Sequence, residues 1–258
     1  MKTIRILLVV AALLVFDSNV FAQEEEQGPK YLTRTTMHWN MDKDDFKMED
    51  WKAIEKEYLE KVVMKNEYIM GASFFMHQFT ADNTTLEYVQ TFASWEDIEK
   101  ASERNSELAK EAWPDDDARA EFFAKQSDFY ANEHSDEIYA VMDGAKPLAE
   151  MPTKDLTLYL RISHFAFPKD GTAKEWKELR DERLEKVVHK NEYVLGYYPS
   201  THYYGADRTE FIEAFYVEDL AALDKMLDRI PELTEEAWSE EERKERWEKG
   251  GKYLSLIH

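Results

Sequence analysis

The chain has no cysteine. That rules out a disulfide framework, and it rules out the lipid-bearing cysteine that follows the signal of a bacterial lipoprotein. Long apolar runs are absent beyond the first two dozen residues, so no later helix is expected to cross a membrane. Positive charge is scarce: 33 Lys and Arg face 54 Asp and Glu, for a net charge of −21. A surface this acidic repels phosphate backbones and anionic lipid, which argues against nucleic acid or membrane as a partner. The expected partner is a small-molecule ligand, and the expected state is monomer or homodimer. Chemistry-bearing motifs are missing too. There is no H-x-x-x-H or H-E-x-x-H spacing, no Gly-rich phosphate loop, no EF-hand loop and no visible Ser/His/Asp set. No metal site is expected, and the sequence names no cofactor.

What is present begins with a targeting signal. Lys2 and Arg5 precede an apolar run from Ile6 to Phe16, and Val20-Phe21-Ala22 ends it with a signal-peptidase pattern. Residues 1–22 therefore read as a cleaved signal peptide. Absent disulfides, this points to a periplasmic or secreted protein of a Gram-negative bacterium. Without the signal, the net charge is near −22, which favours solubility.

The mature chain then repeats itself. "EKVVMKNEY" at 60–68 returns as "EKVVHKNEY" at 185–193, with Met64 replaced by His189. At the same offset of 125, Trp51 meets Trp176, Leu59 meets Leu184, Gly71 meets Gly196 and His77 meets His202. Ala81-Asp82 meets Ala206-Asp207. A gap of two or three residues is expected next, setting Glu96-Asp97-Ile98 against Glu218-Asp219-Leu220. The register then returns at Leu108 with Leu233, and at Glu111-Ala112-Trp113 with Glu236-Ala237-Trp238. Two copies of one unit follow, residues 29–145 and 153–258, joined by the linker "DGAKPLAEMPTKD" (143–155).

Each copy reads strand, helix, two strands, two helices, strand. "YLTRTTMHWN" (31–40) and "LTLYLRISHFAF" (156–167) are β-branched and aromatic. The next helix carries Ile54, Leu59, Val62 and Val63, matched by Leu179, Leu184, Val187 and Val188, with a capping box at Thr172 and Glu175. A hairpin spans 68–79 and 85–92, and Pro199 marks an edge or bulge in its counterpart. The second helix starts at Ser94, boxed by Asp97. The third starts at Pro114 in one copy and at Ser239, boxed by Glu242, in the other. Short strands at 136–142 and 252–257 close the copies. The fold class is α+β: two ferredoxin-like β-α-β-β-α-α-β repeats packed sheet to sheet as a pseudo-dimeric α/β barrel.

The candidate ligand-binding residues come from paired positions. His38 and His164 end the first strands, while His77 and His202 are expected mid-strand. Alternation puts Phe75, His77 and Phe79 on one face, matched by Tyr198, Ser200, His202 and Tyr204. On the third strand Tyr88, Gln90 and Phe92 share a face, matched with Phe211, Glu213 and Phe215. A carboxylate such as Glu213 among aromatics is a candidate base with a raised pKa. Asn40 stands beside His38 and Trp39 at a strand end. Against these readings, repeated histidines also serve as packing residues, Glu213 also suits a rim position, and Trp51, Trp113, Trp176 and Trp238 read as core.

On element order and duplication, the chain resembles the dimeric α/β-barrel superfamily in a fused, tandem form. That resemblance implies ligands held between helices and sheet or within the barrel. Its members include cofactor-independent monooxygenases, haem-degrading monooxygenases and chlorite dismutase-type haem enzymes. Haem-degrading members use a first-strand Asn, which Asn40 weakly matches, and a helix His. No histidine lies in the second helix of either copy, so haem degradation is not expected. The functional expectation is an exported small-molecule or cofactor-binding barrel with monooxygenase-like chemistry. The alternative is a non-catalytic periplasmic binding or assembly protein with the barrel as scaffold.

Overall fold

The computed structural model describes residues 28–150, 152–166 and 168–256. The expected signal peptide (1–22) and His258 lie outside them. Eight strands and six helices follow the expected order twice. The first half holds β1 (Tyr31–Trp39), α1 (Met48–Lys61), β2 (Gly71–Met76), β3 (Thr85–Phe92), α2 (Trp95–Ala112), α3 (Asp116–Ser127) and β4 (Tyr130–Val141). The second holds β5 (Thr157–Phe165), α4 (Ala173–Arg183), β6 (Gly196–Tyr204), β7 (Glu210–Val217), α5 (Leu220–Ala237), α6 (Glu240–Gly250) and β8 (Leu254–Leu256). Among the described residues, no helix is long and apolar enough to cross a membrane.

The strands form one antiparallel sheet in the order β2-β3-β1-β4-β6-β7-β5-β8. The halves therefore meet edge to edge, through β4 and β6, rather than as two separate sheets. The seam pairs Tyr139 with His202 and Val141 with Ser200, after a register shift at Ile138. The linker is also tied down: Lys146 and Tyr197 exchange backbone hydrogen bonds of 2.8 Å.

Helix starts follow their caps. The side chains of Ser94, Asp115, Thr172, Asp219 and Ser239 each accept a backbone N–H of the first turn, satisfying one of the donors a helix leaves open. The reciprocal box closes at Ser239–Glu242. In copy two's first helix, Glu175 turns instead to the Tyr253 hydroxyl. The expected start at Pro114 is corrected by two residues, to Asp116, because Asp115 captures the cap and leaves the proline outside. Ser94 and Asp219 are 125 apart, as are the ends of α2 and α5. The expected gap does not exist; the repeated "ED" dipeptides are not equivalent positions.

The repeated nonapeptide closes the first helix of each half. Val62, Val63, Val187 and Val188 are all buried. Its asparagine is the fastening. Asn66 donates to Ala101 O at 2.9 Å and accepts from Tyr68 N; Asn191 donates to Met226 O at 3.0 Å and accepts from Tyr193 N. Each ties the loop before a strand to the following helix. The one changed residue has a job of its own. His189 Nε2 lies 3.0 Å from the linker carbonyl of Gly144, after a π turn at Leu184–Val188 where the first half has a 3₁₀ turn at Val63–Lys65.

Candidate functional site

Strand alternation gives the sheet two faces. One packs on the helices, and it carries the site. In the first half the inner side of α1 presents Trp51, Glu55, Tyr58 and Val62, spaced by four, three and four residues, so that they stack along one stripe. This stripe stands off β1–β3 and leaves a cavity of about 440 Å³. Trp51, Tyr58, Phe74, Tyr88, Tyr130 and Glu55 line it. Packing is aromatic: Trp51 meets Phe74 at 5.3 Å and Trp39 at 5.1 Å edge-on, and Phe74 meets Tyr88 at 4.6 Å with its ring tilted by 31°.

Glu55 is the group that does not belong in an apolar wall. It is only 8% exposed and, among the described residues, has no cationic partner. Its carboxylate accepts from Tyr130 OH at 2.6 Å and from Gln126 Nε2 at 3.0 and 3.1 Å. Trp51 Nε1 in turn donates to Tyr130 OH at 2.8 Å. Burial pushes the Glu55 carboxyl above its ordinary range, and the Tyr130 and Gln126 hydrogen bonds offset this only in part. Burial also raises Tyr88 and Tyr130, so both stay neutral donors. The result is an aromatic cleft with a carboxylate poised to take a proton, oriented by a tryptophan–tyrosine relay.

The corresponding cleft of the second half is built from the opposite charge. At an offset of 125 or 126, Thr35 becomes Arg161, Glu55 becomes Arg180, Tyr58 becomes Arg183, Ala72 becomes Tyr197 and Tyr88 becomes Glu213. Glu213 is 1% exposed. It accepts from Arg183 at 3.0 Å, from Tyr197 OH at 2.8 Å and from Arg161. Burial alone would raise its pKa, but the two guanidiniums override it and hold the carboxyl below the usual range. The expected base is thus corrected: Glu213 is a charged structural anion, and Glu55 is the carboxyl pushed upward. The third-strand matching shifts with it. Tyr88 opposes Thr35 as Glu213 opposes Arg161, so Tyr88 corresponds to Glu213, and Gln90 to Phe215.

The other face of the sheet carries a polar network across the seam. Arg34 donates to Glu87 at 2.8 Å and to Tyr139 OH at 3.4 Å; Tyr139 OH donates to Glu210 at 2.6 Å. His202 Nε2 lies 2.7 Å from Glu137, which also accepts from Ala206 N. His202 therefore bridges the halves. His77 does not join it, because β2 stops at Met76 and His77 caps an exposed turn through Thr80. His38 and His164 hold equivalent turns, through Thr84 and Asp82 in one half and Thr209 and Asp207 in the other. Asn40 donates to Asp128 O and accepts from Asp42 N. Tyr198 accepts from Leu148 N on the linker, Tyr204 is exposed beside Trp95, and Gln90 lies next to Tyr88 on the helix-facing side. Of the sequence candidates, Tyr88 alone lines the cavity. Among the described residues, no group of three or more His, Asp or Glu is set to hold a metal.

No family model and no curated protein matches the chain. Solved structures do. A proposed monooxygenase from Lactobacillus acidophilus superposes with a TM-score of 0.51 at 8% identity, covering 88% of this chain and 90% of that one. An anthrone oxidase-like protein gives 0.45 at 11%, covering 89% and 92%. A chlorite dismutase variant from Candidatus Nitrospira defluvii gives 0.48 at 14%, covering 80% and 84%. At these identities the likeness speaks to fold.

Proposed function

Since the chain has the fold of the dimeric α/β-barrel proteins, we propose that it is an exported enzyme that binds a planar phenol or enolisable ketone in the first-half cleft and oxygenates it. The observation that carries this is Glu55: an uncompensated carboxylate kept inside an aromatic cavity. Such a group costs stability, and a core with no ligand to serve would hold an apolar residue there. Proton removal by Glu55 leaves an electron-rich anion between Trp51, Phe74 and Tyr88, while Tyr130 keeps its hydroxyl proton directed at Glu55. Dioxygen is the oxidant; the activated CH₂ of the ketone, or the ortho or para ring carbon that is CH₂ in the phenol's keto tautomer, becomes C=O, one oxygen atom enters the product and the other leaves as water.

Two further readings support this assignment. Matched contacts support reading the two halves as copies of one ancestral unit: Arg104 with Glu67, Glu107 and Glu111, and Arg229 with Glu192, Glu232 and Glu236. Contacts between distant strands support a barrel-like packing of the sheet: Phe75 on β2 reaches Tyr216 on β7 at 6.1 Å and Gln78 reaches Thr157 at 3.5 Å. Copying then allowed one cleft to stay open while the other filled.

The test is binding of 2-naphthol, followed by quenching of tryptophan emission. Wild-type protein binds it. Ala72→Tyr places in the first cleft the ring that Tyr197 places in the second, so it abolishes binding without unfolding the protein. Equal binding by both proteins would reject the cleft as the site.

A further inference from the structure

Filling the second cleft left charge unbalanced. Arg161 on β5 and Arg180 and Arg183 on α4 bring three guanidiniums to one side of Glu213 and Tyr197. Arg180 and Arg183 lie one turn apart on the same face of their helix. Glu213 answers Arg161 and Arg183 together. Arg180 reaches the Asp143 carbonyl and, at 3.4 Å, Asp181, a half-exposed carboxylate already shared with Lys177. The cluster thus holds one buried carboxylate against three cations.

Its donors are also unspent. Arg161 Nε, Arg180 Nε and Ser163 Oγ are buried with no hydrogen-bond partner among the described residues. Arg180 has a side chain only 7% exposed, lying over the Trp176 ring at 5.7 Å, and Ser163 follows Arg161 on the same face of β5. Unpaired buried donors are costly. One group removes that cost and balances the excess of cations: an oxyanion, whose lone pairs match the guanidinium donors. The Arg161 and Arg183 side chains keep 31% and 28% of their surface in solvent, which leaves a way in.

We propose that the arginine cluster at the partly exposed edge of the filled second cleft binds a small oxyanion, a carboxylate or phosphate group, through Arg161, Arg180 and Arg183. The site lies in the other half from the Glu55 cleft and stands whether or not that cleft binds a phenol. Tyr197 and Glu213 form its floor, and Glu213 competes with the ligand for donors.

The experiment is thermal unfolding of the mature protein with sodium benzoate, sodium phosphate or sodium chloride at matched ionic strength. Concentrations stay near 10 mM, below the range of general salting effects. At about ten times Kd the bound oxyanion raises Tm by about 3–6 °C, and chloride does not. Whichever of benzoate and phosphate gives the shift identifies the headgroup. Arg161→Gln and Arg183→Gln abolish the oxyanion-specific shift. Arg183→Lys, which keeps the charge and loses the fork, reduces it and covers the case in which Arg183→Gln does not fold. Phosphate and benzoate behaving as chloride does, or shifts that are equal in wild type and in Arg161→Gln, would overturn the proposal.

Discussion

Replacing Glu55 by glutamine should make the protein more stable at neutral pH. Its surroundings set the sign: the carboxylate is 8% exposed, takes three hydrogen bonds from neutral donors, and meets no cation among the described residues. Its folded pKa is raised above the ordinary 4.5 by burial. A raised carboxyl contributes fully below the unfolded pKa, and that contribution is lost as pH rises through the folded pKa. At pH 7 the ionised group is therefore a net cost. Glutamine keeps the shape, still accepts from Tyr130, and needs only a flip of the Gln126 amide to satisfy its own N–H₂. We expect a gain of about 1 kcal/mol at pH 7, the usual size when a function-related cost is removed. That corresponds to a Tm rise of about 2–4 °C. At pH 4 the advantage should shrink towards zero, because wild-type Glu55 is then protonated. Paired thermal melts across that range read the difference directly. A glutamine variant less stable than wild type at pH 7, with a gap that does not vary with pH, would show that the carboxylate is a structural anion and end the case for Glu55 as a base.

Other outcomes follow from the same contacts. Glu213→Ala leaves Arg161 and Arg183 facing each other, and urea unfolding should show a loss of about 3–5 kcal/mol. Because Glu213 is depressed below 4.5, its contribution holds above the ordinary carboxylate range and is lost as pH falls through its folded pKa; Glu213→Gln should flatten that acid limb of the stability curve. Asn66→Ala and Asn191→Ala should each cost about 1–3 kcal/mol in denaturant melts, since each strands a buried backbone partner. Gly205→Ala should loosen the seam, measured as faster amide exchange in β4 and β6: Gly205 has φ +140° and an added Cβ would strike Glu137.

The repeat made the architecture readable. Turn histidines, caps and the buried Val-Val pair recur at offsets of 124 to 126 residues, so one half checks the other. What misled was chemistry that looked alike but was not equivalent. Glu96-Asp97 and Glu218-Asp219 share letters, yet the cap is carried by Ser94 in one helix and Asp219 in the other, and a false gap followed. The site was hidden for a different reason. Glu55 stands in "KAIEKEYLEK", where charge reads as a solvated face. The Trp51–Glu55–Tyr58–Val62 spacing was the available signal, and it puts the carboxylate in line with the tryptophan. Histidine drew attention because it is the usual titrating group, while the structure spends His38, His77 and His164 on turns, His189 on the linker and His202 on the seam. The second cleft's arginines were likewise unread, since Arg180 and Arg183 lie in a charged helix whose inner face only packing reveals.

The most direct test of the account excites bound 2-naphthol, whose excited state surrenders its proton to a neighbouring carboxylate. In wild-type protein at pH 7 the Glu55 carboxylate takes that proton, and the bound ligand emits as naphtholate. In Glu55→Gln it emits as neutral naphthol. Naphtholate emission of the same strength from both proteins would mean that Glu55 receives no proton from the ligand, and the reading of the cleft as a base-bearing site would be contradicted.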